Sequence, residues 1–175
     1  MATLVPQNHP ALHTIAEAVT PEEFSDGTVH KIVRDLRTAI KTYDVDGYAA
    51  VAIAAPQIGV TKRIFLIEDQ SERDDALPTL IAVNPVIVKQ SRKTQTLGEG
   101  CLSIPDVYGL VERHKNVTMR ALDETGTSYE RGAGGLLAQI MQHEIDHLDG
   151  ILFTDRAIKT WHKDHLPADD STPTV

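Results

Sequence analysis

Between residues 28 and 43 apolar side chains recur with a helical period. Val29, Ile32, Val33, Leu36, Ala39, Ile40 and Tyr43 fall on one face, while Lys31, Arg34, Asp35, Arg37 and Lys41 occupy the other. The spacing predicts an amphipathic helix, with Gly47 placed to help terminate it. The pattern then shortens. Residues 63–67 and 80–83 are compact apolar, β-branched runs separated by the charged segment 68–75, and they predict strands. Residues 86–88 continue beyond Asn84-Pro85, where the proline predicts a bend or an edge position. Val117, Met119 and Ala121 alternate with polar residues, and Asp123-Glu-Thr-Gly126 reads as a hairpin turn into residues 127–131.

A second helix is expected after the glycines at 132, 134 and 135, reaching about Leu148 with Gly150 near its end. Leu136, Leu137, Ile140, Met141, Ile145 and Leu148 cover more than one face, so this helix is expected to be largely buried. Strands in the middle and a buried helix late in the chain predict an α+β fold, with mostly antiparallel strands packed around that helix.

The same helix carries His143-Glu-Ile-Asp-His147, an H-E-x-x-H motif. Residues i and i+4 lie one turn apart on one face, so both imidazoles can reach one metal ion. Glu144 is rotated by about 100 degrees from His143, which suits a group beside the ion that does not ligate it. The plain alternative is a solvated face of two histidines and a glutamate. Against it, Leu136, Ile140, His143 and His147 share one stripe, so the histidines continue an apolar surface. Buried imidazoles and a buried carboxylate need partners, and a divalent cation supplies one. A catalytic metal commonly takes three protein ligands. Cys101 is the only thiol in the chain and the best third ligand by type, although a lone cysteine is more often a small buried hydrophobe.

Composition narrows the classes. The 175 residues suit one domain, and 41% hydrophobic with 24% charged residues is ordinary for a globular protein. A net charge of -8 gives no phosphate-binding surface, so nucleic acid is not an expected direct partner. One cysteine permits no intramolecular disulfide and fits a reducing compartment. The first ten residues have neither a basic region nor a long apolar one, and no apolar run approaches the roughly 20 residues that span a bilayer. Cytoplasm is the expected location, with no membrane association.

Three motifs then align in order with one family. Glu99-Gly-Cys-Leu-Ser103 resembles the E-G-C-L-S motif of peptide deformylases, whose cysteine is a metal ligand. Gln142-His-Glu-Ile-Asp-His-Leu-Asp-Gly150 resembles their Q-H-E-x-D-H-L-x-G helix, and Ala52-Ile-Ala-Ala-Pro-Gln57-Ile-Gly59 their segment ending in a functional glutamine. Asn84-Pro85, Arg113 and Ile151-Leu-Phe-Thr-Asp-Arg156 extend the similarity to about residue 158. The resemblance implies a catalytic domain over 1–158 and a C-terminal extension over 159–175, whose polar, Pro-containing end from 167 is expected to be disordered.

It also implies the activity: removal of the formyl group from formylmethionine at the N-terminus of nascent polypeptides, with release of formate. Cys101, His143 and His147 would hold one divalent ion, natively ferrous iron, with zinc, nickel or cobalt able to replace it. Glu144 would carry the proton from water to the leaving amine, and the Gln57 amide with the Leu102 N–H would receive the oxyanion. Arg113 is expected to pair with one or both of Asp146 and Glu99, fastening the cysteine segment to the metal helix. N-formylmethionyl peptides are the implied partners, with a transient ribosome contact.

Two departures stand out. The family's first motif usually reads Gly-x-Gly-x-Ala-Ala-x-Gln, and both glycine positions are alanine here, Ala50 and Ala52. Either those glycines were never conformationally required, or the substrate groove is altered. Tyr108 also stands where many relatives carry a basic or small residue, in what reads as a loop. The competing readings are a metallopeptidase, which usually draws its third ligand from downstream, and a catalytically weak binder of acylated N-termini.

Overall fold

The computed structural model describes residues 3–42, 44–45, 48–69, 71 and 76–165. In chain order the helices are α1 (Pro21–Ser25), α2 (Thr28–Thr42), α3 (Gly135–Leu148) and α4 (Phe153–Arg156). The strands are β1 (Asp44–Val45), β2 (Tyr48–Ala49), β3 (Ala52–Ala54), β4 (Ile64–Ile67), β5 (Leu80–Gln90), β6 (Thr94–Cys101), β7 (Ile104–His114), β8 (Asn116–Leu122), β9 (Ser128–Gly134) and β10 (Lys159–His162). One sheet has the order β3-β4-β5-β8-β9, a second β10-β7-β6, and a third joins β1 to β2; the named pairings are all antiparallel. The α+β expectation holds. Tyr43, Gly47 and residues 166–175 lie outside the described residues, so the helix terminator and the disordered tail expected there are not addressed.

Strand β4 explains why Ile64-Phe-Leu-Ile67 reads as an unbroken apolar run. Ile64 and Leu66 pack on the α2 side with Val29, Val33 and Leu36, whereas Phe65 and Ile67 pack on the α3 side with Ile140 and Met141. Side chains alternate across a strand, so a sheet covered on both faces needs apolar residues at every position. Helix α2 buries six of the seven positions its periodicity marked, Val29, Ile32, Val33, Leu36, Ala39 and Ile40.

At Asn84-Pro85, where a bend or an edge position was expected, the chain continues with an irregularity in an interior strand. Residues on both sides belong to one strand, β5, with a register shift between Val83 and Val86. Asn84 adopts a left-handed φ of 51°, which asparagine tolerates better than most residues. Its side chain accepts from the Val19 N–H at 2.8 Å and donates to the Val19 carbonyl at 2.9 Å, so it pairs with backbone as a strand neighbour would. The hairpin turn at Asp123 is present as expected. Its carboxylate accepts from the backbone of Thr125 and Thr127, and Gly126 takes φ 85°.

The β6–β7 hairpin was not expected from the pattern, and Tyr108 lies within β7 rather than in a loop. The inward positions of this hairpin include Glu99, Arg113 and Gly109, so apolar alternation is missing from the segment. The two strands are joined by Leu102-Ser103, with Cys101 paired to Ile104 across the turn.

Helix α3 ends against the N-terminal segment, where the Ala16 N–H bonds to the Leu148 carbonyl at 2.8 Å. Gly150 follows with φ 72°, and a Cβ there would lie 2.9 Å from the Thr14 nitrogen. Gly150→Ala combines left-handed strain with overlap against backbone. It is expected to cost about 2–4 kcal/mol and to lower Tm by roughly 5–15 °C, measured by thermal unfolding of both proteins.

Candidate active site

The end of β6 and the middle of α3 bring three donor atoms together. Ligand atoms of Cys101, His143 and His147 all lie within 4.8 Å of one another. Cys101 Sγ is 3.2 Å from His147 Nε2, close to the roughly 3.5 Å that tetrahedral geometry sets between metal-bound sulfur and nitrogen. The two imidazole rings stand nearly perpendicular with centroids 4.8 Å apart, as i and i+4 positions on one helix face allow.

Gln57 arrives from another direction, on the 3-10 turn Ala55–Ile58 that follows β3. Its Oε1 accepts from the Ala54 N–H at 2.8 Å, and its Nε2 lies 3.6 Å from Cys101 Sγ and 3.3 Å from Ser103 Oγ. Leu102 is half-buried in the turn directly after Cys101. Glu144 is 2% exposed beside His143 on α3. The six residues singled out in the sequence therefore converge, although they come from three separate stretches of chain.

Behind the histidines lies a buried ionic network. The Arg113 guanidinium donates to both oxygens of Glu99, at 2.7 and 2.9 Å, and to Asp146. His143 Nδ1 is 3.0 Å from Glu99 Oε2, which directs the other ring nitrogen toward the donor cluster. Gln139 donates to the Gly98 carbonyl at 2.9 Å, and Gln142 bonds to both backbone groups of His114 at 3.0 Å, fastening α3 along the hairpin. Arg156 closes the far side with two bonds of 2.7 Å to Asp146. Pairing of Arg113 with one or both acids was anticipated and both are paired, whereas Arg156, Gln139 and Ser103 were not assigned parts. Arg156 and Ser103 stood inside recognised motifs, but nothing in one sequence tells which acid or amide they touch.

The charges follow from burial and contact. Burial pushes Glu99 upward, but hydrogen bonds from Arg113 and His143 outweigh it and hold the carboxyl at about 2. Burial likewise opposes ionisation of Cys101, yet His147 and His143 draw its pKa well below the usual thiol range, giving a thiolate suited to ligation. Glu144 has no such donor, and burial raises it to about 7. Glu144 Oε2 and His147 Nδ1 are buried with no hydrogen-bond partner among the described residues. A thiolate, two imidazoles and an unsatisfied carboxylate oxygen form a donor set that fits a divalent cation.

The alanines at 50 and 52 create no backbone conflict. The non-glycine residues with positive φ among those described are Asn84 and Asp106, so neither alanine occupies a conformation that demands glycine. Ala52 pairs with Ile67, and Ala50 packs at the margin of the α2 core.

The chain matches the polypeptide deformylase family over residues 1–163. It belongs to that family. It is 38% identical to the peptide deformylase of Rhizobium meliloti over 141 residues, covering 81% of this chain and 78% of the relative. The Thermomicrobium roseum peptide deformylase is 43% identical over 134 residues, covering 75% and 73% respectively. The crystal structure of peptide deformylase from Thermotoga maritima superposes with a TM-score of 0.78 at 29% identity, covering 91% of this chain and 99% of that one. Peptide deformylases are metal-dependent hydrolases that remove the N-formyl group from nascent peptides, and the chain is an enzyme of this kind. Among the described residues no helix is long and apolar enough to cross a membrane.

Arg113 is 4% exposed, so removing it leaves buried Glu99 without its bidentate partner and Asp146 with Arg156 alone. Arg113→Ala is expected to destabilise the fold by about 3–5 kcal/mol and to weaken metal binding roughly 10- to 100-fold. Chelator competition beside thermal unfolding checks both effects, and unchanged metal affinity would refute the coupling.

Proposed function

We propose that the chain removes formyl groups from formylmethionyl nascent polypeptides using Cys101, His143 and His147 as the ligands of one divalent ion. The observation that carries this reading is the convergence of Cys101, from a β-hairpin turn, with both histidines of the H-E-x-x-H helix. A bound ion supplies Lewis acidity toward the formyl carbonyl and toward water. Ferrous iron is the proposed native metal, with zinc, nickel or cobalt as substitutes; the thiolate–imidazole donor set accepts any of them.

Glu144 is the proposed proton carrier. Burial lifts the Glu144 carboxyl to about 7 in the metal-free site, and a buried carboxylate beside the proposed ion can take a proton from water and deliver it to the departing amine. Its burial excludes bulk water from that exchange. The Gln57 carboxamide, with its oxygen already bound to Ala54, presents Nε2 toward the cluster as a donor for the developing oxyanion. The Leu102 N–H is the second proposed donor, placed by the turn that also places Cys101.

The peptidase alternative loses ground because the third donor comes from an upstream strand. At Ala50 and Ala52 the backbone supports the reading that no glycine conformation is required there. We place residues 1–158 in the catalytic domain and 159–175 in an extension whose β10 docks on β7. Cytoplasm is the proposed site of action, with a transient ribosome contact through the segment from Arg156 to His165. In that segment Arg156 already pairs with Asp146 and Lys163 with Asp106.

Protein purified anaerobically and loaded with Fe(II) or Ni(II) is expected to release formate from formyl-Met-Ala-Ser and to leave the unformylated peptide intact. Glu144→Ala should retain its metal and lose at least about 100-fold in turnover. No release by folded, metal-loaded protein would sink the assignment.

A further inference from the structure

Resting on the oxyanion role proposed for Gln57, we infer that Ser103 is a positioning residue for the reaction, holding one N–H of the Gln57 carboxamide so that the other faces the reacting centre. A carboxamide offers one acceptor oxygen and two donor hydrogens. The Ala54 N–H at 2.8 Å identifies the Gln57 oxygen, because two donors would repel at that distance. The NH2 end then lies between Ser103 Oγ at 3.3 Å and Cys101 Sγ at 3.6 Å.

The terminal torsion of glutamine is soft, so the bond at the oxygen and the long contact to Cys101 Sγ hold the amide plane only weakly. A second bond at one hydrogen fixes the plane and thereby aims the remaining hydrogen toward the metal ligands. Gln57 is 2% exposed and Ser103 3% exposed, so water cannot substitute for the hydroxyl. The geometry comes at little cost in sequence, because Ser103 shares the β6–β7 turn with Cys101 and Leu102. One turn therefore places a metal ligand, the backbone donor, and the group that orients the side-chain donor.

The test is a double-mutant cycle of Ser103→Ala and Gln57→Ala in the metal-loaded enzyme, read as kcat and KM for formate release with metal content as a check. Ser103→Ala is expected to lower kcat about 10-fold with KM within about twofold, and to cost less than about twofold once Gln57 is already alanine. An equal loss in both backgrounds, or an unchanged kcat, overturns the inference. A second readout does not depend on turnover. In the zinc-loaded protein the two Gln57 Nε2 proton resonances, assigned by their disappearance in Gln57→Ala, should change in Ser103→Ala, with one exchanging faster. Unchanged resonances beside an active wild type overturn the role of Ser103 alone. Absence of formate release by the wild type overturns the function proposed above, and the resonances still decide the Ser103 bond.

Discussion

A guanidinium withdrawn from water sits where the β6–β7 hairpin meets α3, and the site depends on how its charge is met. Arg113 comes from β7, Glu99 from β6 and Asp146 from α3, so the network spans every element that supplies a metal ligand. Burying three charges carries a desolvation cost that their mutual attraction only roughly offsets, so the network adds little net stability. Its consequence is geometric. Any slip of the hairpin along the helix would leave a charge unpaired in the interior, at several kcal/mol. The arrangement that satisfies Arg113 is also the one that brings Cys101 to the two histidines.

The network also reaches the metal face directly. Glu99 receives Arg113 on both oxygens and meets His143 Nδ1 with one of them. That contact fixes the ring plane and leaves the opposite nitrogen for the ion. Asp146, one turn from its neighbours on α3, receives Arg156 as well as Arg113, tying α4 to the same helix. Gln139 bonds to the Gly98 carbonyl and Gln142 to the His114 backbone, adding side-chain-to-backbone contacts along the same interface.

The parts of this structure that were legible in the sequence are those set by periodicity or local chemistry. Helix α2, strand β4, the Asp123 turn and helix α3 each announce themselves through spacing or turn residues. The H-E-x-x-H motif places both histidines with no tertiary information, because the helix alone brings them together. The β6–β7 hairpin was illegible for the opposite reason: its inward face carries an ionic network, so a strand detector keyed to apolar alternation finds nothing. Asn84 shows a different limit of the pattern. Its side chain takes over backbone pairing with Val19, so a position that reads as a break is a continuation of β5. Cys101 could be nominated by type and by motif resemblance, but only the hairpin register shows why it meets the helix.

The two buried glutamates show how one side-chain type is divided between two tasks. Burial raises the pKa of both. Glu99 escapes because Arg113 and His143 donate to it, and it stays a fixed anion at about 2. Glu144, one residue from His143 yet without a donor on Oε2, remains near 7. A carboxylate held at about 2 cannot retain a proton at neutral pH, and one near 7 cannot serve as a permanent charge for a histidine. The roles cannot be exchanged without moving Arg113. The residue that fixes the hairpin against the helix thereby also determines which carboxylate is free for the proposed proton transfer.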